Sequence, residues 1–127
     1  ALAKILEANN TLTHLNLHQN RIEDKGCIAL ASALKKNESL SHLNFSANWV
    51  GSVGATNFAN TLTTNKTILE LDCSYNRIGQ KGGQAFLDIL QTRNCTLATL
   101  ELSGNSGIDK EEMERINYFI EMNRAGR

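Results

Sequence analysis

His14, His18, His42, Glu70, Asp72 and Glu101 are the side chains in this chain best equipped for chemistry. Imidazoles beside a carboxylate could ligate zinc, which takes nitrogen and oxygen donors in a tetrahedron. They also titrate close to neutral pH. Ser46, Ser74 and Ser103 recur at near-constant spacing and would be nucleophiles only if a histidine served them as base. Arg21 and Arg77 each sit inside an Asn-Arg-Ile triplet, where an exposed guanidinium could enter a GTPase site in trans. Gly79-Gln-Lys-Gly-Gly83 carries glycines and a lysine but lacks the spacing of a nucleotide-binding loop. Cys27, Cys73 and Cys95 are odd in number and show neither CxxC nor Cys/His ligand spacing.

The elements that must position these groups are written as a repeat. Leu12-x-x-Leu15-x-Leu17-x-x-Asn20-x-Ile22 returns as Leu40-x-x-Leu43-x-Phe45-x-x-Asn48-x-Val50. It returns again as Ile68-x-x-Leu71-x-Cys73-x-x-Asn76-x-Ile78 and as Leu97-x-x-Leu100-x-Leu102-x-x-Asn105. The starts fall 28, 28 and 29 residues apart, a period read as a solenoid. Within each unit the last two leucine positions lie two residues apart, as one face of a short strand requires. A polar turn containing Gly26, Gly54 or Gly82 follows, then apolar residues at helical spacing: Leu30, Ala31 and Leu34, then Phe58, Ala59 and Leu62, then Phe86, Leu87 and Leu90. Neither element can bury its apolar side alone, so the units must stack into one core between a parallel sheet and a layer of helices. Strands need about 4.8 Å per unit and helices roughly 10 Å, so the stack curves with the sheet inside. Asn20, Asn48, Asn76 and Asn105 form a structural ladder, because an amide can donate to and accept from turn backbone that has no sheet partner.

This 28-residue unit resembles the ribonuclease-inhibitor-like class of leucine-rich repeats, over nearly the whole chain and including a half-repeat at Leu2, Ala3, Leu6 and Asn9. Similar repeats occur in nucleotide-binding innate-immune receptors, Ran GTPase-activating proteins, actin-capping tropomodulins and bacterial effectors delivered into host cells. The resemblance implies an α/β horseshoe segment, a right-handed solenoid with its parallel β-sheet on the concave face and helices on the convex face. It also implies an intracellular protein-interaction module without catalysis or cofactor. The expected organisation is a single domain over residues 1–127: a partial repeat at 1–11, full repeats at 12–39, 40–67 and 68–96, and a terminal repeat with its cap at 97–127.

Alternation along the strands sends the residues between the leucines to the concave face. Three columns result: His14, His42, Glu70 and Thr99; Asn16, Asn44, Asp72 and Glu101; His18, Ser46, Ser74 and Ser103. The histidines gather at one half of the face and the acids at the other. The expected partner site comprises His14, His42, Glu70, Asp72 and Glu101, with Tyr75 as an aromatic anchor and Trp49 on the rim. The acids would select a basic protein partner. A zinc site at His14, His42 and Glu70 is the lesser alternative, and His18, about 13 Å along the strand, is too far to join it. The histidines are not expected to serve the serine column as bases. The rival functions are regulation of a GTPase through Arg21 or Arg77, a segment of a bacterial effector or innate-immune receptor, and a purely structural end-piece of a larger protein.

With 13 basic and 13 acidic residues the chain has no net field to favour nucleic acid or an anionic membrane. No apolar run is long enough to cross a bilayer. Five Asn-x-Ser/Thr triplets begin at Asn9, Asn37, Asn44, Asn65 and Asn94. Four of them recur at the helix-to-strand turn, so they read as turn chemistry rather than glycan acceptors. Cys73 takes a leucine position and should pack as a small hydrophobe. A reducing cytoplasmic setting fits best. Ala1 is expected to fall inside a helix whose preceding strand is missing, leaving the first strand as an edge open to more chain or to edge-to-edge self-association. At the other end Asp109 and Glu112 form a capping-box pattern, opening a terminal helix with a charged outer side. On that helix Tyr118, Phe119 and Met122 are expected to pack within the cap, a docking stripe for a partner being the lesser reading.

Overall fold

The computed structural model describes residues 2–127; Ala1 lies outside the described residues. Among the described residues five helices alternate with four short strands. They run α1 (Leu2–Ala8), β1 (His14–Asn16), α2 (Glu23–Leu34), β2 (His42–Asn44), α3 (Ser52–Thr61), β3 (Glu70–Asp72), α4 (Gly79–Thr92), β4 (Thr99–Glu101) and α5 (Lys110–Arg124). The strands pair in parallel in chain order β1-β2-β3-β4. Their register joins His14 to His42, Glu70 and Thr99, and Asn16 to Asn44, Asp72 and Glu101. The chain is therefore an α/β leucine-rich-repeat solenoid, and the first two predicted columns are real rows of cross-strand neighbours.

The apolar face of each unit is buried as the repeat requires. Leu43, Leu71 and Leu100 point inward from the strands and Phe45, Cys73 and Leu102 follow them. Phe58, Phe86, Leu62 and Leu90 meet these residues from the helices. Each such large side chain contributes roughly 1.5–3 kcal/mol on full burial. The Phe45 and Phe58 rings lie 5.1 Å apart at 49°, a tilted contact that aromatic quadrupoles favour.

Two local expectations need correction. Gly26, Gly54 and Gly82 are not turn residues but lie inside the first turns of α2, α3 and α4. Gly82 is there because of a close approach: a Cβ would stand 2.3 Å from Ile78 Cγ2. At the last helix, Asp109 Oδ1 accepts from Glu112 N–H at 2.8 Å, but the reciprocal half of the capping box is absent. Glu112 instead turns inward, is 8% exposed, and leaves Oε1 without a hydrogen-bond partner. It lies against Gly83, where a Cβ would come within 2.4 Å of that oxygen. Burial raises its carboxyl pKa above the usual 4.5, and Asp109 and Asp88 push the same way against Arg115.

Both asparagine ladders carry the turns. Asn76 Oδ1 accepts from the backbone N–H of Asn48 and Val50, at 2.9 and 3.0 Å. The Asn48 amide does the same for Asn20 and Ile22. Asn37, Asn65 and Asn94, all buried, donate Nδ2 to carbonyls of the preceding unit. The amides of those three acceptor triplets are thus already committed to the fold. β1 has no strand on its outer side among the described residues, and Leu2, Ile5 and Ile28 are exposed near that end. Arg124 closes the other edge by donating from Nε to Ala98 O at 2.6 Å. Among the described residues no helix is long and apolar enough to cross a membrane.

Candidate interaction face

Because register is fixed by the leucines, the outward side chains of neighbouring strands meet at the strand spacing. His14 and His42 do so face to face, with ring centroids 3.9 Å apart and planes at 11°. His42 Nε2 lies 2.9 Å from Glu70 Oε2, and its Nδ1 lies 2.7 Å from Ser41 Oγ. The tautomer protonated at Nε2 donates to the carboxylate and leaves Nδ1 to accept the single Ser41 hydroxyl proton, for which Thr13 O at 3.2 Å is the competing acceptor. Stacked rings send their nitrogen lone pairs in parallel rather than towards a common point, which is not how zinc is held. Among the described residues no group of three His, Cys, Asp or Glu side chains is placed to hold a metal ion.

The next column has a structural task that the sequence reading missed. Asn16, Asn44 and Asp72 each turn Oδ1 onto the backbone N–H two residues ahead, at 3.0, 2.8 and 3.0 Å. These side chains end the strands, as Asx turns do. Asp72 keeps its second oxygen free of any partner among the described residues, and the exposed Glu101 has no hydrogen bond or ion pair among them. No lysine or arginine occurs in the four strands. The rows border an open trough of about 490 Å³ lined by His14, His42, Glu70, Asp72, Thr99 and Glu101.

The third column holds a contact that the spacing did not foresee, although no histidine serves a serine there as base. His18 Nδ1 lies 2.7 Å from Ser46 Oγ, because the backbone of neighbouring units stays in step beyond the strands, with Gln19 N–H donating to Ser46 O at 3.1 Å. The pair is not poised as a nucleophile. Ser46 is 4% exposed, and its hydroxyl donates to Asn44 Oδ1 at 2.6 Å, which leaves Oγ neither activated nor open to a substrate.

The rim is built from residues in the left-handed region. Gln19, Arg21, Ala47, Trp49 and Tyr75 all have φ between 50° and 59°, a conformation disfavoured for side chains with a Cβ. Tyr75 is 66% exposed, and its ring lies over Gly104, where a Cβ would come within 2.4 Å of it. Trp49 is 48% exposed, with Arg21 Cζ 5.0 Å and Arg77 Cζ 5.7 Å from its ring centroid. Asp24, which no spacing singled out, accepts at Oδ1 from Gly51 and Gly54 N–H at 2.6 and 3.1 Å, and so caps α3 from the neighbouring helix. Tyr118, expected to pack within the cap, is instead exposed on its outer side and meets Phe119 edge-on at 5.2 Å.

A parallel sheet of stacked strand–helix units with a polar inner face defines a solenoid. The model of the leucine-rich repeat matches residues 8–31, 36–59 and 64–87. The chain belongs to the leucine-rich-repeat family. The match is to the family and carries no subclass. No curated protein matches the chain by sequence. Among solved structures, it is similar to Leiomodin-1 Actin-Binding Site 2, with a TM-score of 0.84 and 21% identity over 97% of this chain and 70% of that one. It is also similar to the tropomodulin C-terminal domain of Caenorhabditis elegans, with a TM-score of 0.62 and 11% identity over 97% and 91% of the two chains. At these identities the likeness is one of fold.

Proposed function

We propose that this chain is a non-enzymatic recognition module that binds a protein partner through its concave face and rim. One observation carries the reading: Glu101 and the free oxygen of Asp72 border an open trough with no lysine or arginine among its lining residues, and Arg124 reaches only its Thr99 end, where it makes no ion pair among the described residues. A partner that places lysine or arginine there satisfies those acids, and their charge selects it over neutral or acidic surfaces. Tyr75 supplies exposed aromatic area beside them, and the His14–His42–Glu70 row holds the trough's other half in one arrangement. Nucleic acid and anionic lipid fit this acidic face poorly. The three cysteines are free thiols, in keeping with a reducing, cytoplasmic setting. Actin is the first partner to test, since the leiomodin segment of like fold is an actin-binding site.

The experiment is a titration of monomeric actin, followed by capture from cytosolic lysate, with the parent and with a His42/Asp72/Tyr75/Glu101 alanine variant. A captured protein that binds the variant at least about tenfold more weakly, the loss expected from one charged hydrogen bond, supports the reading. Equal binding by both proteins, or none by either, sinks the concave face as the site.

A further inference from the structure

Arg21, Trp49 and Arg77 come from three successive units and from the same position of the repeat, one residue beyond the ladder asparagine. They meet on the rim as a stack, one indole with a guanidinium on it from each neighbouring unit, 5.0 and 5.7 Å from the ring centroid. We propose that this stack is a docking site for an acidic peptide segment, each arginine taking one carboxylate. The site lies beside the concave face and does not depend on the binding proposed there.

A guanidinium held over an aromatic ring by its charge makes no hydrogen bond there, so its N–H donors stay available for a carboxylate. Among the described residues neither guanidinium donates a hydrogen bond. Neither arginine has a carboxylate within 4.0 Å among the described residues, where the ion pairs are Lys36–Glu7 and His42–Glu70. Both side chains are exposed and lie over one ring, a placement that lowers the ordering cost when a partner arrives. The two forks are held two strand spacings apart, about 10 Å. That matches carboxylates seven residues apart on one face of a helix, at 1.5 Å per residue. Planar forks fit carboxylates two bonds at a time.

A protein segment suits the rim better than a nucleic acid does. The adjoining concave face carries Glu70, Asp72 and Glu101 and no strand lysine or arginine, so a long polyanion leaving the rim would run into like charge. A short acidic segment ends before it gets there.

Trp49 is the only tryptophan of the chain, so its own emission reports on the site. The test titrates the full chain with a helical peptide bearing glutamates seven residues apart, with its glutamine counterpart, with single-stranded DNA and with phosphatidylserine vesicles. Saturable change in Trp49 emission is expected with the acidic peptide alone. Affinity should fall about tenfold for Arg21→Gln or for Arg77→Gln and fall further in the double variant. Both positions are on the surface, and an unchanged far-UV circular dichroism spectrum will show that these variants fold. Asp72→Asn/Glu101→Gln should keep full affinity for the acidic peptide, which separates this site from the concave one. The proposal is overturned if the glutamine peptide binds equally, if the double arginine variant binds as the parent does, or if the acidic peptide leaves the emission unmoved. Tighter binding of DNA or vesicles than of the peptide would overturn it too and make the rim a polyanion site.

Discussion

Removing the Asn76 side chain tests whether the ladder holds the turns together. In Asn76→Ala the N–H groups of Asn48 and Val50 lose the oxygen that accepts from both. Both residues are 0% exposed, so water cannot replace it without opening the stack. The donor side of the amide matters less. Phe45 O keeps Asn48 Nδ2, Cys73 O keeps Asn105 Nδ2 and Ser74 O keeps the N–H of Ala47. The loss therefore comes down to two buried donors at about 1–3 kcal/mol each, or about 4 kcal/mol together. That is a large part of the roughly 5–15 kcal/mol by which a domain is stable. At a slope of about 2 kcal/mol/M, the urea midpoint should fall by about 2 M.

Asn20→Ala is the control within the same ladder. Asn20 is exposed, its amide donates to Leu17 O and His18 O, and water can take its place. Its cost should stay below about 1 kcal/mol, a midpoint shift under about 0.5 M. Equilibrium urea unfolding of the parent and both variants, followed by circular dichroism at 222 nm, measures the difference. A shift for Asn76→Ala no larger than that for Asn20→Ala would refute the assignment of the ladder to buried turn donors.

Two further outcomes follow from buried titratable groups. Burial, with Asp24 adding to it, pushes the Cys27 thiol up to about 12, and burial drives Cys73 the same way, while Cys95 is exposed. Iodoacetamide at pH 8 should therefore label Cys95 in the folded chain and all three cysteines in urea, read by intact mass, because the thiolate is the reactive form. Labelling of Cys27 at the rate of Cys95 would contradict the packing. Glu112 has its pKa raised by burial, so the folded chain holds that proton more tightly than the unfolded one. Its contribution to stability is present at and below the ordinary value of 4.5 and is lost as pH climbs through the raised value. Glu112→Gln should be more stable than the parent at pH 7, by on the order of 1 kcal/mol. That gap should close as pH falls to about 4.5; a gap independent of pH in thermal melts at pH 4.5–7.5 would argue that the carboxyl is solvated.

The strands, the helices and the concave rows were legible because the repeat states them several times. Four leucine registers at a 28- or 29-residue period leave one way to stack, and the observed pairs His14–His42 and Asp72–Glu101 follow directly. What stayed hidden was whatever occurs once. Asp24 caps α3, but the equivalent positions in later units are Ser52 and Gln80, so no period marks it. The inward turn of Glu112 was hidden because its spacing from Asp109 is equally that of a capping box, and the space beside Gly83 decided the outcome. The His18–Ser46 contact was missed because parallel backbone pairing runs past the assigned strands and keeps that column in reach.

The rim shows how a repeat turns one sequence position into a composite surface. Arg21 and Trp49 would be read singly as solvated charge and stray aromatic, and so would Arg77. Stacking at one strand spacing per unit turns the succession Arg-Trp-Arg into a layered contact that no single unit contains. The same stacking makes the concave rows, where His14, His42 and Glu70 meet only because they are 28 residues apart. In a solenoid, then, variation at a repeated exposed position is the quantity that carries recognition, while constancy at the leucines and asparagines carries the fold. The side chains that break the repeat on this surface, Trp49 among arginines and Tyr75 beside Gly104, are accordingly the ones whose removal should alter binding and leave the stack standing.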